Sequence, residues 1–186
     1  LGEQDAYFMN PNFPPKIVGA AALYKYVKDI EKKMPNESDD ILILDGGNFF
    51  QGHPIGLIDS GKTVIEWMNK VGYDAIVPGN NDFLFGPQNL LKLSEIANFP
   101  FLACNIKHQK TDELLFDPYK IINIKGSKVG ILGLANSEIN ETVLNKNLEG
   151  IKIEDSLESM NFWISKLVNK VDILILLTSS GVPWDR

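Results

Sequence analysis

At 186 residues, with 44% hydrophobic and 23% charged residues, the chain is long enough for one domain with a real core and ordinary in composition for a folded protein. Its formal net charge of −6 argues against a general nucleic-acid binder, which needs a basic face to neutralise phosphates. No apolar run approaches the roughly 18–20 residues that span a bilayer, and a lone cysteine, Cys104, excludes a disulfide framework. The chain begins at Leu1 without a recognisable signal peptide. It runs out in Gly181-Val182-Pro183-Trp184-Asp185-Arg186 directly behind a strand, so a fragment of a longer protein is expected, read as a single domain over 1–186.

Residues 1–16 are polar, aromatic and rich in Asn and Pro, which reads as a loop or arm. Val18 to Met34 has helical apolar spacing through Leu23, Val27 and Ile30, stopped by Pro35-Asn36. Ile41 to Leu44 is a short apolar strand ending at Asp45-Gly46-Gly47. A loop follows, then a helix over about Thr63 to Val71, and a strand, Ala75-Ile76-Val77, closed by Pro78-Gly79. Pro87 to Ala97 is helical with Pro in the first turn, and Phe101 to Cys104 is a strand. Tyr119 to Ile124 and Lys128 to Ala135 form a hairpin around a Gly126-Ser127 turn. Ile153 to Val168 is a helix capped by Asp155 or Ser156, and Ile173 to Leu177 is the last strand. Apolar strands alternating with helices predict a layered α/β fold with mostly parallel strands flanked by helices.

In such sheets ligands sit at the carboxyl ends of the strands, which puts four loops in view: Asp45 to Gly52, Pro78 to Gly86, Cys104-Asn105 and Thr178 to Gly181. Gly56 to Thr63 matches G-x-x-x-x-G-K-[ST] completely, but it does not follow a strand directly, and Leu57 and Ile58 are bulky where a phosphate loop wraps closely. It reads as a loop and helix start. Asn48, Asn80 and Asn81 have two readings each, a group that binds one metal or a polar ligand, or a brace for loop backbone. Asp82 reads first as a cap or brace for the loop and second as a lone ligand, His53 as a surface residue near the loops, and Cys104 as a buried small hydrophobe. Ser179-Ser180 lacks an acid–His partner, and Phe49-Phe50 reads as strand-end packing.

Four stretches carry a family resemblance. They are Leu44-Asp45-Gly46-Gly47-Asn48-Phe49-Phe50-Gln51-Gly52, Gly79-Asn80-Asn81-Asp82-Phe83-Leu84-Phe85-Gly86, Ala103-Cys104-Asn105-Ile106, and Leu176-Leu177-Thr178-Ser179-Ser180-Gly181. In order and spacing they resemble the calcineurin-like metallophosphoesterases, in the branch of 5'-nucleotidases, UDP-sugar hydrolases and cyclic-nucleotide phosphodiesterases, and specifically that branch's N-terminal metal-binding domain. The resemblance implies a metal-bridging aspartate at Asn48, a metal-binding asparagine at Asn80, a catalytic histidine at Asn81, an aspartate supporting it at Leu84 and a metal-binding histidine at Ser179. Only Asn80 keeps the family residue. An early Asp-x-His and a late Gly-His-x-His are absent, and the two histidines, His53 and His108, lie off the motif positions.

These replacements bear on the chemistry the resemblance implies. Two divalent ions about 3.5–4 Å apart repel by roughly 20 kcal/mol at an effective dielectric of about 20, and neutral Asn48 offers them no charge. Ser179 is a poor substitute for imidazole, Asn81 cannot protonate a leaving group, and Leu84 orients nothing polar. The expectation is a 5'-nucleotidase-like domain that has lost catalysis and serves as a ligand- or protein-binding module, with no cofactor. The alternative is an active nucleotide phosphohydrolase holding two divalent ions such as Zn or Mn, completed by segments outside this chain. The resemblance further implies a nucleotide or phosphate ester as partner and a periplasmic or extracellular location. Nothing in the sequence names a protein partner.

Overall fold

The structure, a computed structural model, describes residues 4–5, 16–17, 19–34, 41–49 and 54–180. The chain divides into two compact units, residues 1–41 and 42–186. The first contains an antiparallel pair, β1 (Gln4–Asp5) with β2 (Lys16–Ile17), and helix α1 (Ala20–Glu31). The pair falls in the segment expected to be a loop, since two-residue strands are too short to show a period-two pattern. Helix α1 lies where the apolar spacing puts it. Ion pairs Lys25–Asp29 and Lys28–Glu31 link its successive turns.

The second unit runs β3 (Leu44–Asp45), α2 (Pro54–Ile58), α3 (Lys62–Val71), β4 (Ala75–Ile76), a 3-10 helix (Asn80–Phe85), α4 (Pro87–Ile96), β5 (Ile106–His108), β6 (Tyr119–Ile124), β7 (Ser127–Leu134), α5 (Ile139–Thr142), β8 (Ile151–Ile153), α6 (Ser156–Leu167) and β9 (Ile173–Thr178). Strands β3 and β4 are parallel, Ile76 bridges to Phe101 in parallel, and β7 and β9 are parallel over six residue pairs. Antiparallel pairing enters with the β6–β7 hairpin and with β5–β8, a pair the sequence does not announce. The α/β fold is as expected. The hairpin turn is Lys125-Gly126, one residue earlier than read, with φ of +50° and +86°, the left-handed pair that a two-residue hairpin requires. Pro87 occupies the first turn of α4, and the Asp155 carboxylate caps α6 by accepting from the Glu158 N–H at 2.9 Å.

Ile65 and Met68 of α3 and Leu90 and Leu93 of α4 bury against Ala75, Ile76 and Val77. A run of ring contacts, Trp67–Tyr73–Phe99–Phe101–Phe116, fills the space beside them. Helix α6 covers the second cluster, in which Leu132, Leu134 and Cys104 pack against Leu167, Trp163 and Met160. Each large side chain so buried contributes about 1.5–3 kcal/mol. Residues 101–104 pair only through isolated bridges, but they are held tightly. The Cys104 N–H donates to the Gly133 carbonyl at 2.8 Å, and the Gly133 N–H donates to the Pro118 carbonyl at 3.0 Å.

Gly133 is where the two segments touch most closely. A Cβ there would lie 2.4 Å from both Leu102 Cβ and the Leu102 carbonyl oxygen, and backbone cannot yield as a side chain can. Gly133→Ala is expected to destabilise the protein by about 3 kcal/mol, read as a lower denaturation midpoint. An unchanged midpoint would show that the two segments separate more easily than their packing implies.

Candidate functional site at the strand ends

Strands β3 and β4 run side by side and release their loops at the same edge. Behind β3, Gly47 has φ +95° and Asn48 φ +63°. The first favours glycine, and the second is a left-handed conformation that asparagine and aspartate tolerate better than most residues. A Cβ at Gly47 would lie 2.3 Å from the Gly79 nitrogen, and one at Gly79 would lie 2.5 Å from Asn48 Oδ1. The loops therefore meet backbone on backbone.

Asp82, third residue of the 3-10 helix, ties them. Its Oδ2 accepts from the Asn48 N–H at 2.7 Å and reaches back to the Gly79 N–H at 2.8 Å, and its Oδ1 accepts from the Phe49 N–H at 3.0 Å. The side chain is fully buried. Burial pushes its carboxyl up to about 7, against the pull of the three N–H donors. Asn48 Oδ1 accepts from the Asn81 N–H at 2.9 Å. Asp45 accepts from the Gly47 N–H at 2.8 Å, and burial holds its carboxyl above the usual range.

The other strand ends join the same edge. A Cβ at Gly46 would sit 3.1 Å from the Thr178 carbonyl oxygen, so the loop behind β3 meets the end of β9. Ser179 Oγ accepts from the Asn136 N–H at 3.0 Å, behind β7. The Thr178 and Ser180 hydroxyls share a 2.7 Å hydrogen bond. Asn105, fully buried, pairs with Ala135 through both amide atoms, at 2.8 and 3.0 Å. The structure thus gathers Asn48, Asn80, Asn81 and Ser179 at one edge. Leu84, in the same 3-10 helix, is 39% exposed. The partnership of Asn136 with Ser179 escaped the sequence reading, and the only signal for it is a polar residue just past a strand.

The remaining candidates separate cleanly. Cys104 is buried, and burial pushes its thiol up to about 12, which keeps it protonated and unreactive. Gly56, Leu57 and Ile58 lie in α2, so the apparent phosphate loop starts as helix, and the Asp59 carboxylate already accepts from the Thr63 N–H and hydroxyl. Phe49 packs edge-on against Phe101 at 5.8 Å. Phe50, Gln51, Gly52, His53 and Gly181 lie outside the described residues. Among the described residues no three His, Cys, Asp or Glu side chains converge on a common point. The two carboxylates of the loops, Asp45 and Asp82, are both engaged by backbone donors, and no imidazole stands at 81 or 179. Among the described residues this donor set does not fit a pair of divalent ions. Asp82→Asn is expected to cost about 1–3 kcal/mol, because an amide can face at most two of the three N–H groups as an acceptor. Denaturant unfolding measures it, and an unchanged stability would mean that the three bonds do not hold the loops.

No family model matches the chain. Among curated proteins it is 30% identical over 165 residues to a 5'-nucleotidase of Vibrio cholerae, covering 88% of this chain and 30% of that protein. It is 32% identical over 174 residues to the 5'-nucleotidase of Rattus norvegicus, covering 90% and 29%. Among solved structures, the calcineurin-like phosphoesterase YfkN from Bacillus subtilis superposes with a TM-score of 0.74 at 27% identity, covering 98% of this chain and 59% of that one. The chain spans about 30% of the length of these curated relatives. Motif order, fold and sequence similarity agree, and the chain belongs to the calcineurin-like metallophosphoesterases, in their 5'-nucleotidase branch.

Proposed function

We propose that residues 1–186 form a 5'-nucleotidase-like metallophosphoesterase domain that has lost catalysis and serves as a binding module. One observation carries this reading. The only carboxylates left in the β3 and β4 loops are engaged by backbone N–H donors, Asp82 through both oxygens and Asp45 through one, while Asn48, Asn81, Leu84 and Ser179 bring no negative charge and no imidazole. Hydrolysis at a two-metal site requires ions that polarise the phosphoryl group and lower the pKa of a bound water. It also requires an acid for the leaving alkoxide. The first requirement fails at 48 and 179, the second at 81 and 84. The ligand class that follows from the relatives is a nucleotide or other phosphate ester. The location that follows is periplasmic or extracellular. No helix among the described residues is long and apolar enough to cross a membrane.

The similarity to proteins named 5'-nucleotidase favours a second reading, an active enzyme whose metal ligands come from polypeptide outside these residues. Metal analysis and turnover separate the two. The full-length protein is expected to hold no stoichiometric pair of transition metals. It is expected to hydrolyse nucleoside monophosphates, cyclic nucleotides and aryl phosphates negligibly, even with added manganese or zinc, since loss of general acid catalysis alone removes about 10²–10⁴-fold in rate. Restoring Asn48→Asp, Asn81→His, Leu84→Asp and Ser179→His together should raise metal affinity before turnover. Ordinary enzyme rates in the unmodified protein, abolished by a chelator, would establish the second reading instead.

A further inference from the structure

A groove of about 740 Å³ lies beside the loops, and of the site positions discussed above only Leu84 lines it. One bank is the end of the 3-10 helix and the start of α4, with Leu84, Phe85 and Gln88. The other is formed by Lys110 and the loop carrying Lys146 and Glu149. Asn147 fastens the banks by donating to the Leu84 carbonyl at 3.1 Å.

The charges are distributed unevenly. Nearby Lys107 and Lys152 are tied to Asp112 and Glu154. Lys110 and Lys146 are exposed, and among the described residues neither ammonium pairs with a carboxylate. Glu149 is the groove's one acid, so it carries a net positive charge in a chain of −6. Leu84 and Phe85, 39% and 42% exposed, add an apolar wall. An aspartate at 84 would set a further negative charge on this bank, and leucine does not.

We propose that this groove binds a small organic phosphate, its phosphate between Lys110 and Lys146 and its apolar part against Leu84 and Phe85. Two flexible ammonium groups suit a phosphate dianion, which needs charge from more than one side. The apolar wall favours an ester over the free ion. Two lysines match one phosphate, not the many that a nucleic acid presents. The inference rests on the binding-module reading for its purpose, but on none of the residues at 48, 81 or 179.

The test titrates the full-length protein with phenylphosphonate, whose carbon–phosphorus bond is not hydrolysed, and with inorganic phosphate, followed by calorimetry. Phenylphosphonate is expected to bind more tightly than phosphate and to weaken as salt rises. The double variant Lys110→Gln/Lys146→Gln should lose about tenfold in affinity, the scale of a charge-assisted contact. Glu149→Gln should gain a few-fold, a change that a damaged fold cannot produce. Equal binding by the double variant, or no saturable binding at millimolar phenylphosphonate, overturns the assignment. Turnover of phosphate esters, measured separately, decides the catalytic reading and leaves this one untouched.

Discussion

A carboxylate taken out of water must find donors, and Asp82 finds three on the main chain of two loops far apart in sequence. The meeting of the β3 and β4 loops depends on this. It fixes the start of the 3-10 helix, holds the left-handed turn at Gly47-Asn48 against Gly79, and so determines where the side chains of 48, 80 and 81 can stand. Because the donors are backbone N–H groups, the tie does not depend on which side chains those positions carry.

Frame and chemistry are therefore separable in this fold. Gly47, Gly79 and Asp82 make the frame: the glycines let the loops approach, and the acid holds them together. Positions 48, 81 and 84 are hung on it. A change there alters charge and proton transfer while leaving the tie through Asp82 in place. The remaining strand ends follow the same logic. Asn105 pairs with the backbone of Ala135, and Ser179 accepts from that of Asn136, so polar side chains there also serve as fasteners.

Long periodic segments were legible in the sequence. Helices α1, α3, α4 and α6 fall within a few residues of their apolar patterns, and Asp155 and Pro87 mark their starts as their chemistry requires. The four loops were legible because glycine, asparagine and aspartate collect where strands end. Short elements were not legible: β5 and β8 have three residues each, too few for a period, and their pairing joins segments about 45 residues apart. The hairpin turn slipped by one residue because Gly126 can serve as either turn residue until the register fixes it. The groove had no sequence signature at all, since residues near 85, 110 and 147 become neighbours only through the fold.

The left-handed backbone at residue 48 acts as a filter on mutation. With φ at +63°, most side chains there crowd their own carbonyl, leaving glycine, asparagine and aspartate as the comfortable choices. The codons of asparagine and aspartate differ by a single base. Whatever selection acts on this chain, drift at that position is channelled by sterics along a short path with a carboxylate at its other end, a constraint that Leu84, in an ordinary helical conformation, does not share.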